Sequence, residues 1–159
     1  MGGRSGKKVR AKGTQPVDKS QKNKAAMRRF YRGVFNVGNV ALVDELCAPD
    51  FVEHEEFPGL TTDRDGVKQF VTMMRTAFPD VKMEVHDLIA TGNKVVARIT
   101  MSGTHRGEFM GMPASSKSFS VTTIDIVRFK NGKAIEHWGA TDTAKMMEQL
   151  GAIPGPGSA

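Results

Sequence analysis

The sequence predicts an α+β fold in which a curved antiparallel sheet packs on N-terminal helices and encloses a conical cavity. Apolar residues recur at helical spacing in the first half of the chain, whereas from residue 81 they alternate with polar residues at strand spacing. The dipeptide Asn131-Gly132 separates two β-prone runs and favours a two-residue hairpin turn, because both positions need positive φ. Helices followed by an antiparallel meander are typical of this fold class.

Three helices are predicted ahead of the sheet. The first spans residues 22 to 36, where apolar side chains recur at i, i+3, i+4, i+7 and i+8. The second spans residues 40 to about 48, with Asn39 as its cap and Pro49 as its limit. The third begins at Thr62 and ends before Pro79. Together these helices would cover one face of the sheet.

Strands and a last helix complete the predicted domain. Alternation predicts strands over residues 81–86, 95–104 and 117–129, and a closing strand pairs back on the third of these after the hairpin turn. Residue 141 or 142 caps a final helix, with Gly151 beyond its end.

Charge and length divide the chain into one domain with two tails. A length of 159 residues suits a single core. Residues 1–24 carry a net charge of +7 and the remainder about −1, although the whole chain carries +6. We therefore predict a disordered basic tail over 1–23, a folded domain over 24–151 and a flexible end over 152–159. Because the basic charge belongs to a tail, a nucleic-acid partner is not expected.

The remaining composition predicts a soluble, cytoplasmic protein. Cys47 is the only cysteine, which excludes an intrachain disulfide and fits a reducing compartment. No apolar run has the length of a signal peptide or a membrane span. Glu53-His54-Glu55-Glu56 lacks metal-ligand spacing, so no metal is predicted.

The hairpin places a candidate general base among apolar residues. Counting outward from its turn pairs Val127 with Glu136 and Asp125 with Trp138, and puts His137 and Arg128 on the opposite face. A carboxylate in an apolar pocket beside an indole suits proton abstraction. A sheet-edge residue or an arginine partner is the structural alternative for this aspartate.

Other candidate site residues follow from strand and helix faces. His105 shares its parity with the apolar positions of the 95–104 strand, which predicts a place at the mouth of the same cavity as Asp125. We also predict substrate contacts from Phe30, Met101 and Met110. The ten methionines suit an adaptable core or a pocket for an irregular apolar ligand.

Several ordered blocks resemble the SnoaL-like polyketide cyclases, a family of the NTF2-like superfamily. They cover about residues 24–151 and comprise LCAPDFVEH at 46–54, AFPD at 77–80, GTHRGEFMGMP at 103–113, IDIVRF at 124–129 and GKAIEHW at 132–138. The resemblance implies an NTF2-like cone, a homodimer or homotetramer, and intramolecular aldol closure of a polyketide ring without metal or organic cofactor. It also implies that Asp125 is the acid/base residue and that His105 assists it.

The implied chemistry gives further residues a role. Trp138 would stack on a planar substrate, His54 would line the cavity mouth, and Glu136 would be a second acid or an arginine partner. Two features depart from the family pattern: the basic tail, and the sequence ASSK at 114–117 where a Thr-Gly turn is common.

Three other functions stay open at this point. A non-catalytic small-molecule-binding module would use Asp125 only to orient a ligand. Epoxide hydrolysis on the same fold needs two carboxylates bridged by an arginine, but the hairpin count puts Arg128 on the wrong face. A nucleic-acid adaptor would depend on the basic tail alone.

Overall fold

A computed structural model describes residues 18–155 and 157 of the chain. The helices are α1 (Lys19–Arg29), which continues as π-helical turns (Phe30–Asn36), α2 (Leu42–Leu46), α3 (Arg64–Ala77) and α4 (Thr143–Leu150). The strands are β1 (Cys47–Glu53), β2 (Lys82–Thr91), β3 (Lys94–Thr104), β4 (Ser118–Lys130) and β5 (Lys133–Thr141). The predicted α+β class is confirmed, and the structure adds a strand, β1, between the second and third helices.

The five strands form one open sheet in the order β1-β5-β4-β3-β2. Strands β2 to β5 pair antiparallel as predicted, but β1 runs parallel to β5, so the sheet is mixed. The prediction of a fully antiparallel sheet is therefore wrong at this edge. Pro49 and Asp50 disguise β1 in the sequence, and an edge strand tolerates a proline because one side of its backbone needs no partner.

Helix α1 begins earlier than predicted. Asp18 caps it by accepting a hydrogen bond from the backbone N–H of Ser20. Residues 19–23 are therefore helical, although they fall within the predicted tail. The rest of the predicted tail, residues 1–17, lies outside the described residues. The C-terminal end is described only at 152–155 and 157, so its flexibility stays a prediction.

Two other helix ends test the capping predictions. Asp63, rather than Thr62, caps α3, since its carboxylate accepts the N–H groups of Asp65 and Gly66 at 3.0 Å each. Asp142 caps α4 as predicted, and Gly151 ends it in the left-handed region with φ of 77°.

The hairpin turn is confirmed, but the register beyond it is not. Lys130 pairs with Lys133 around Asn131 and Gly132, which have φ of 52° and 78°. A bulge then inserts Ile135, because Phe129 pairs with Ala134 and Arg128 with Glu136.

This extra residue reverses the alternation of β5. Val127 faces His137, Ile126 faces Trp138, and Asp125 faces Gly139. His137 therefore shares the inner face with Asp125, and the predicted pairing of Asp125 with Trp138 is wrong.

The inner face of the sheet forms the hydrophobic core with the helices. Val95, Ala97 and Ile99 of β3 are fully buried, as their alternation predicts. Within the part of the chain that the structure describes, no helix combines the length and the apolar character needed to cross a membrane.

Candidate active site

A cavity of about 340 Å³ opens between the inner face of the sheet and the helices. Its volume is in the range of sites for drug-sized ligands. Most of its wall is apolar, and seven methionines line it: Met27, Met74, Met83, Met101, Met110, Met146 and Met147. Seven phenylalanines join them: Phe30, Phe35, Phe51, Phe57, Phe70, Phe109 and Phe129. Aromatic and thioether side chains suit a flat apolar ligand.

Asp125 of β4 projects into this apolar cavity and is 7% exposed. The Tyr31 hydroxyl, carried by the π-helical turns after α1, donates a hydrogen bond to its Oδ2 over 2.7 Å. Its Oδ1 lies 3.3 Å from Nε2 of His137. Both carboxylate oxygens are thus held in place by partners from other elements.

His137 bridges two carboxylates. Its Nδ1 donates to Glu53, whose two oxygens lie at 2.7 and 2.8 Å, while its Nε2 faces Asp125. Burial lowers the pKa of His137, but the hydrogen bonds to Asp125 and Glu53 outweigh burial and raise it to about 10. The ring is therefore an imidazolium at neutral pH, and its positive charge lies next to Asp125.

Glu55 brings a third carboxylate to the same place. Burial, and after it the negative charge of Asp125, raise the pKa of Glu55, although His137 acts in the opposite direction. Its carboxylate occupies the space over Gly139, where an added Cβ would stand 1.8 Å from Oε2. The cross-strand neighbour of Asp125 has to be a residue without a side chain for Glu55 to reach this position.

Glu55, Asp125 and His137 present ligand atoms within 4.8 Å of one another, a spacing that a metal ion can use. The imidazolium, however, directs both of its nitrogens at carboxylates and has no free lone pair. We therefore assign no metal ligands to this cluster.

Four of the predicted site residues line the cavity. They are Asp125, Phe30, Met101 and Met110. Met110 is half exposed at the rim, whereas Met101 is buried on β3. Their contact with substrate stays a prediction.

Three predicted substrate contacts lie on the outer face of the sheet instead. Trp138 stacks on His54 with ring centroids 4.7 Å apart and planes inclined by 3°. Glu136 pairs with Arg128 and lies 3.4 Å from His54. The bulge at Ile135 is the physical reason, because it turns Glu136 and Trp138 away from the cavity.

His105 is also placed differently from its prediction. It follows the end of β3, is 1% exposed, packs against Phe78 and is not among the cavity-lining residues. Its Nδ1 accepts the backbone N–H of Ser115, and its buried Nε2 has no partner among the described residues. The predicted place at the cavity mouth is wrong, and a catalytic role for His105 stays a prediction.

The sequence reasoning missed Tyr31, Glu53, Glu55 and His137 as site residues. One signal was available for the first, because the only tyrosine of the chain falls on an apolar helix face and a buried hydroxyl needs a partner. Ala134 and Ile135 are consecutive apolar residues, and this break in the alternation of the strand was a signal for the bulge.

The fold and cavity define a class of protein: an NTF2-like cone in which an apolar cavity surrounds a carboxylate, Asp125, that contacts a tyrosine and a histidine. The comparisons with known proteins then identify the family. A model of the SnoaL-like polyketide cyclases matches residues 25–150, and the chain belongs to this family of cyclases.

Individual relatives agree with this assignment. Nogalonic acid methyl ester cyclase of Streptomyces nogalater is 29% identical over 119 residues, 74% of this chain and 89% of that protein. Aklanonic acid methyl ester cyclase DnrD of Streptomyces peucetius is 32% identical over 82 residues, 51% of this chain and 57% of that protein. The crystal structure of IdmH from Streptomyces antibioticus, a candidate polyketide cyclase, superposes with a TM-score of 0.71 at 34% identity, covering 81% of this chain and 98% of that one.

Proposed function

We propose that this cyclase closes a ring of a polyketide-like substrate by intramolecular aldol addition, with Asp125 as the general base. The observation that carries the proposal is the carboxylate of Asp125, which projects into an apolar cavity while Tyr31 and His137 fix both of its oxygens. A base held in one orientation, away from bulk water, can be aligned with a substrate C–H bond.

The reaction begins when Asp125 removes a proton from a carbon that flanking carbonyl groups acidify. The resulting enolate attacks a carbonyl carbon elsewhere on the same molecule, forming the new C–C bond and an alkoxide. The imidazolium of His137 lies beside the base, where its positive charge stabilises the negative charge that passes from carboxylate to enolate. Protonation of the alkoxide completes an isomerisation that consumes no co-substrate.

The charges of the cavity support an ester as substrate rather than a free acid. Glu53, Glu55, Glu56 and Asp125 line it, whereas no lysine or arginine is among the lining residues within the described ranges. A substrate carboxylate would approach the carboxylates of Asp125, which is buried, and Glu53, which is half-buried, so water screens the repulsion weakly. Methyl esters avoid this repulsion, and the names of two relatives specify methyl ester substrates.

The test is product formation from nogalonic and aklanonic acid methyl esters, followed by mass-resolved chromatography. We expect Asp125→Asn to lower kcat by about 10²-fold or more at an unchanged fold, because general-base catalysis is lost. Glu84→Gln, an exposed carboxylate on β2, is the matched control and should retain the wild-type rate.

Two results would contradict the proposal. Full turnover by folded Asp125→Asn would remove Asp125 from the chemistry. Ligand binding by the wild-type protein without any turnover of either ester would favour the non-catalytic binding module.

A further inference from the structure

We propose that Glu55 is a second catalytic residue, the proton donor that neutralises the alkoxide formed when the ring closes. This inference rests on the proposed aldol function and names a donor for the protonation of the alkoxide, the step for which the proposed function names none. It is carried by the position of the Glu55 carboxylate in the cavity, beside the base and over a glycine.

The first argument is geometric. Glu55 lines the cavity, and its carboxylate, that of Asp125 and the ring of His137 have ligand atoms within 4.8 Å of one another. Gly139, the direct cross-strand neighbour of Asp125, leaves the volume that the Glu55 carboxylate fills. A substrate held against Asp125 would therefore also touch Glu55, as a concerted acid/base pair requires.

The second argument is the distribution of charge. The charged groups that face Glu55 are Asp125 on β4, His137 on β5 and Glu53 on β1, and Thr141 adds a neutral hydrogen bond. The one imidazolium is already shared by Asp125 and Glu53. Glu55 is the carboxyl of this cluster without a cation of its own. Because burying an unpaired charge is unfavourable, its protonated form is favoured.

Two neighbouring carboxyl groups in unlike environments have separate roles. Asp125 accepts a hydrogen bond from Tyr31 on one oxygen and faces the imidazolium of His137 with the other, whereas burial raises the pKa of Glu55 and so favours its protonated form. Asp125 gains the substrate carbon's proton, and Glu55 gives its proton to the alkoxide oxygen. Return of one proton from Asp125 to Glu55 restores the enzyme, so atoms and charge balance over the cycle.

The experiment compares wild type with Glu55→Gln on the two methyl esters over a range of pH. We expect kcat of Glu55→Gln to fall by about 10²-fold with little change in KM, because an amide is not a proton donor of comparable acidity. The wild-type kcat should also fall as pH rises through the pKa of Glu55, and this alkaline decrease should be absent in the residual activity of the variant. Glu84→Gln is again the control.

Gly139→Ala tests the position of Glu55 without removing its carboxyl. The added Cβ displaces the end of the Glu55 side chain, which is flexible and can move without loss of the fold. We expect Gly139→Ala to lower kcat, and the double variant with Glu55→Gln to be no slower than Glu55→Gln alone. Additive losses would show that the alanine acts through His137, whose Cε1 is also 3.0 Å from the added carbon.

Protein stability gives a readout that needs no turnover. Since the pKa of Glu55 in the folded protein is raised above its ordinary value of 4.5, its contribution to stability is present below pH 4.5 and is lost as pH rises through the folded pKa. Glu55→Gln should therefore gain stability relative to wild type over that range. A stability difference that does not depend on pH would overturn the proposal.

The outcomes separate this inference from the proposed function. An active wild type together with fully active Glu55→Gln and an unchanged pH profile overturns the role of Glu55 and leaves Asp125 as the base. A wild type that turns over neither ester contradicts the aldol function, and the donor role falls with it.

Discussion

His137 supplies the one positive charge among the described residues that line the cavity. Its imidazolium lies between Asp125 and Glu53, with Glu55 nearby. Removing one partner of a buried ion pair leaves an uncompensated charge, which is strongly destabilising. The pairing that positions Asp125 therefore also stabilises the fold, and deprotonation of His137 at high pH would weaken both the positioning and the stability.

We predict a pH-dependent loss of stability in His137→Gln. The pKa of His137 in the folded protein, about 10, lies above its ordinary value of 6.5. Its contribution is therefore complete below pH 6.5 and is lost as pH rises through 10. The difference in the free energy of unfolding between wild type and variant should be a few kcal/mol at pH 6 and shrink by pH 10.

Urea denaturation at pH 6, 8 and 10 measures this difference. His86→Gln, which changes an exposed histidine of β2, is the control and should alter stability little at each pH. An equal loss of stability for His137→Gln at pH 6 and pH 10 would contradict the assignment of an imidazolium.

At the scale of elements, the β4–β5 hairpin decides which side chains reach the cavity. Its turn was predictable because Asn131 and Gly132 are residues that accept positive φ. The bulge at Ile135 was not predicted, and one inserted residue exchanges the two faces of β5. Asp125 lies on β4, whose alternation the bulge leaves intact, so its place on the inner face was predicted correctly.

We predict that Trp138→Leu leaves KM for a methyl ester unchanged, whereas Phe30→Leu raises it. Trp138 packs on His54 and under Lys94 on the outer face, while Phe30 lines the cavity. The two substitutions remove an aromatic ring from opposite sides of the sheet, so they form a matched pair. Steady-state kinetics of both variants would test the register, and a rise of KM in Trp138→Leu alone would contradict it.

Other parts of the site needed the structure because they depend on contacts between distant segments. Tyr31 reaches Asp125 across 94 residues, and Glu53 reaches His137 across 84. Helical and strand periods report which face of an element is buried, but not which element covers it. The sequence therefore predicted that Asp125 faces the cavity, but not which residues hold its carboxylate in place.

At the scale of the whole molecule, the fold combines a cavity with mostly apolar walls and a group of acidic side chains that line part of it. The cavity wall contains seven methionines and seven phenylalanines from helices, strands and loops, and its charged groups lie on β1, β4 and β5 and in the segment that follows β1. A cavity with this lining favours a ligand that is large, apolar and uncharged. It also predicts a preference for esters over free acids, which can be measured without knowing the natural substrate.

We predict that the free acids of the two test substrates have a KM at least tenfold higher than their methyl esters. Each carboxylate would enter a cavity whose described lining contains four acidic residues and one imidazolium. The preference should weaken as pH falls and the substrate acid becomes neutral. Equal KM values for acid and ester at pH 8 would contradict it.

The methionine wall makes the catalyst vulnerable to oxidants. Peroxide converts a thioether into a polar, chiral sulfoxide, and Met110 at the rim would be the first to react because it is 50% exposed. Oxidation of buried residues such as Met101, which belongs to the hydrophobic core, would then place a polar group in both the cavity wall and the core. Peroxide would thus weaken the binding of flat apolar substrates through Met110 first and destabilise the fold only as buried methionines react, and methionine sulfoxide reductases would reverse the first of these losses.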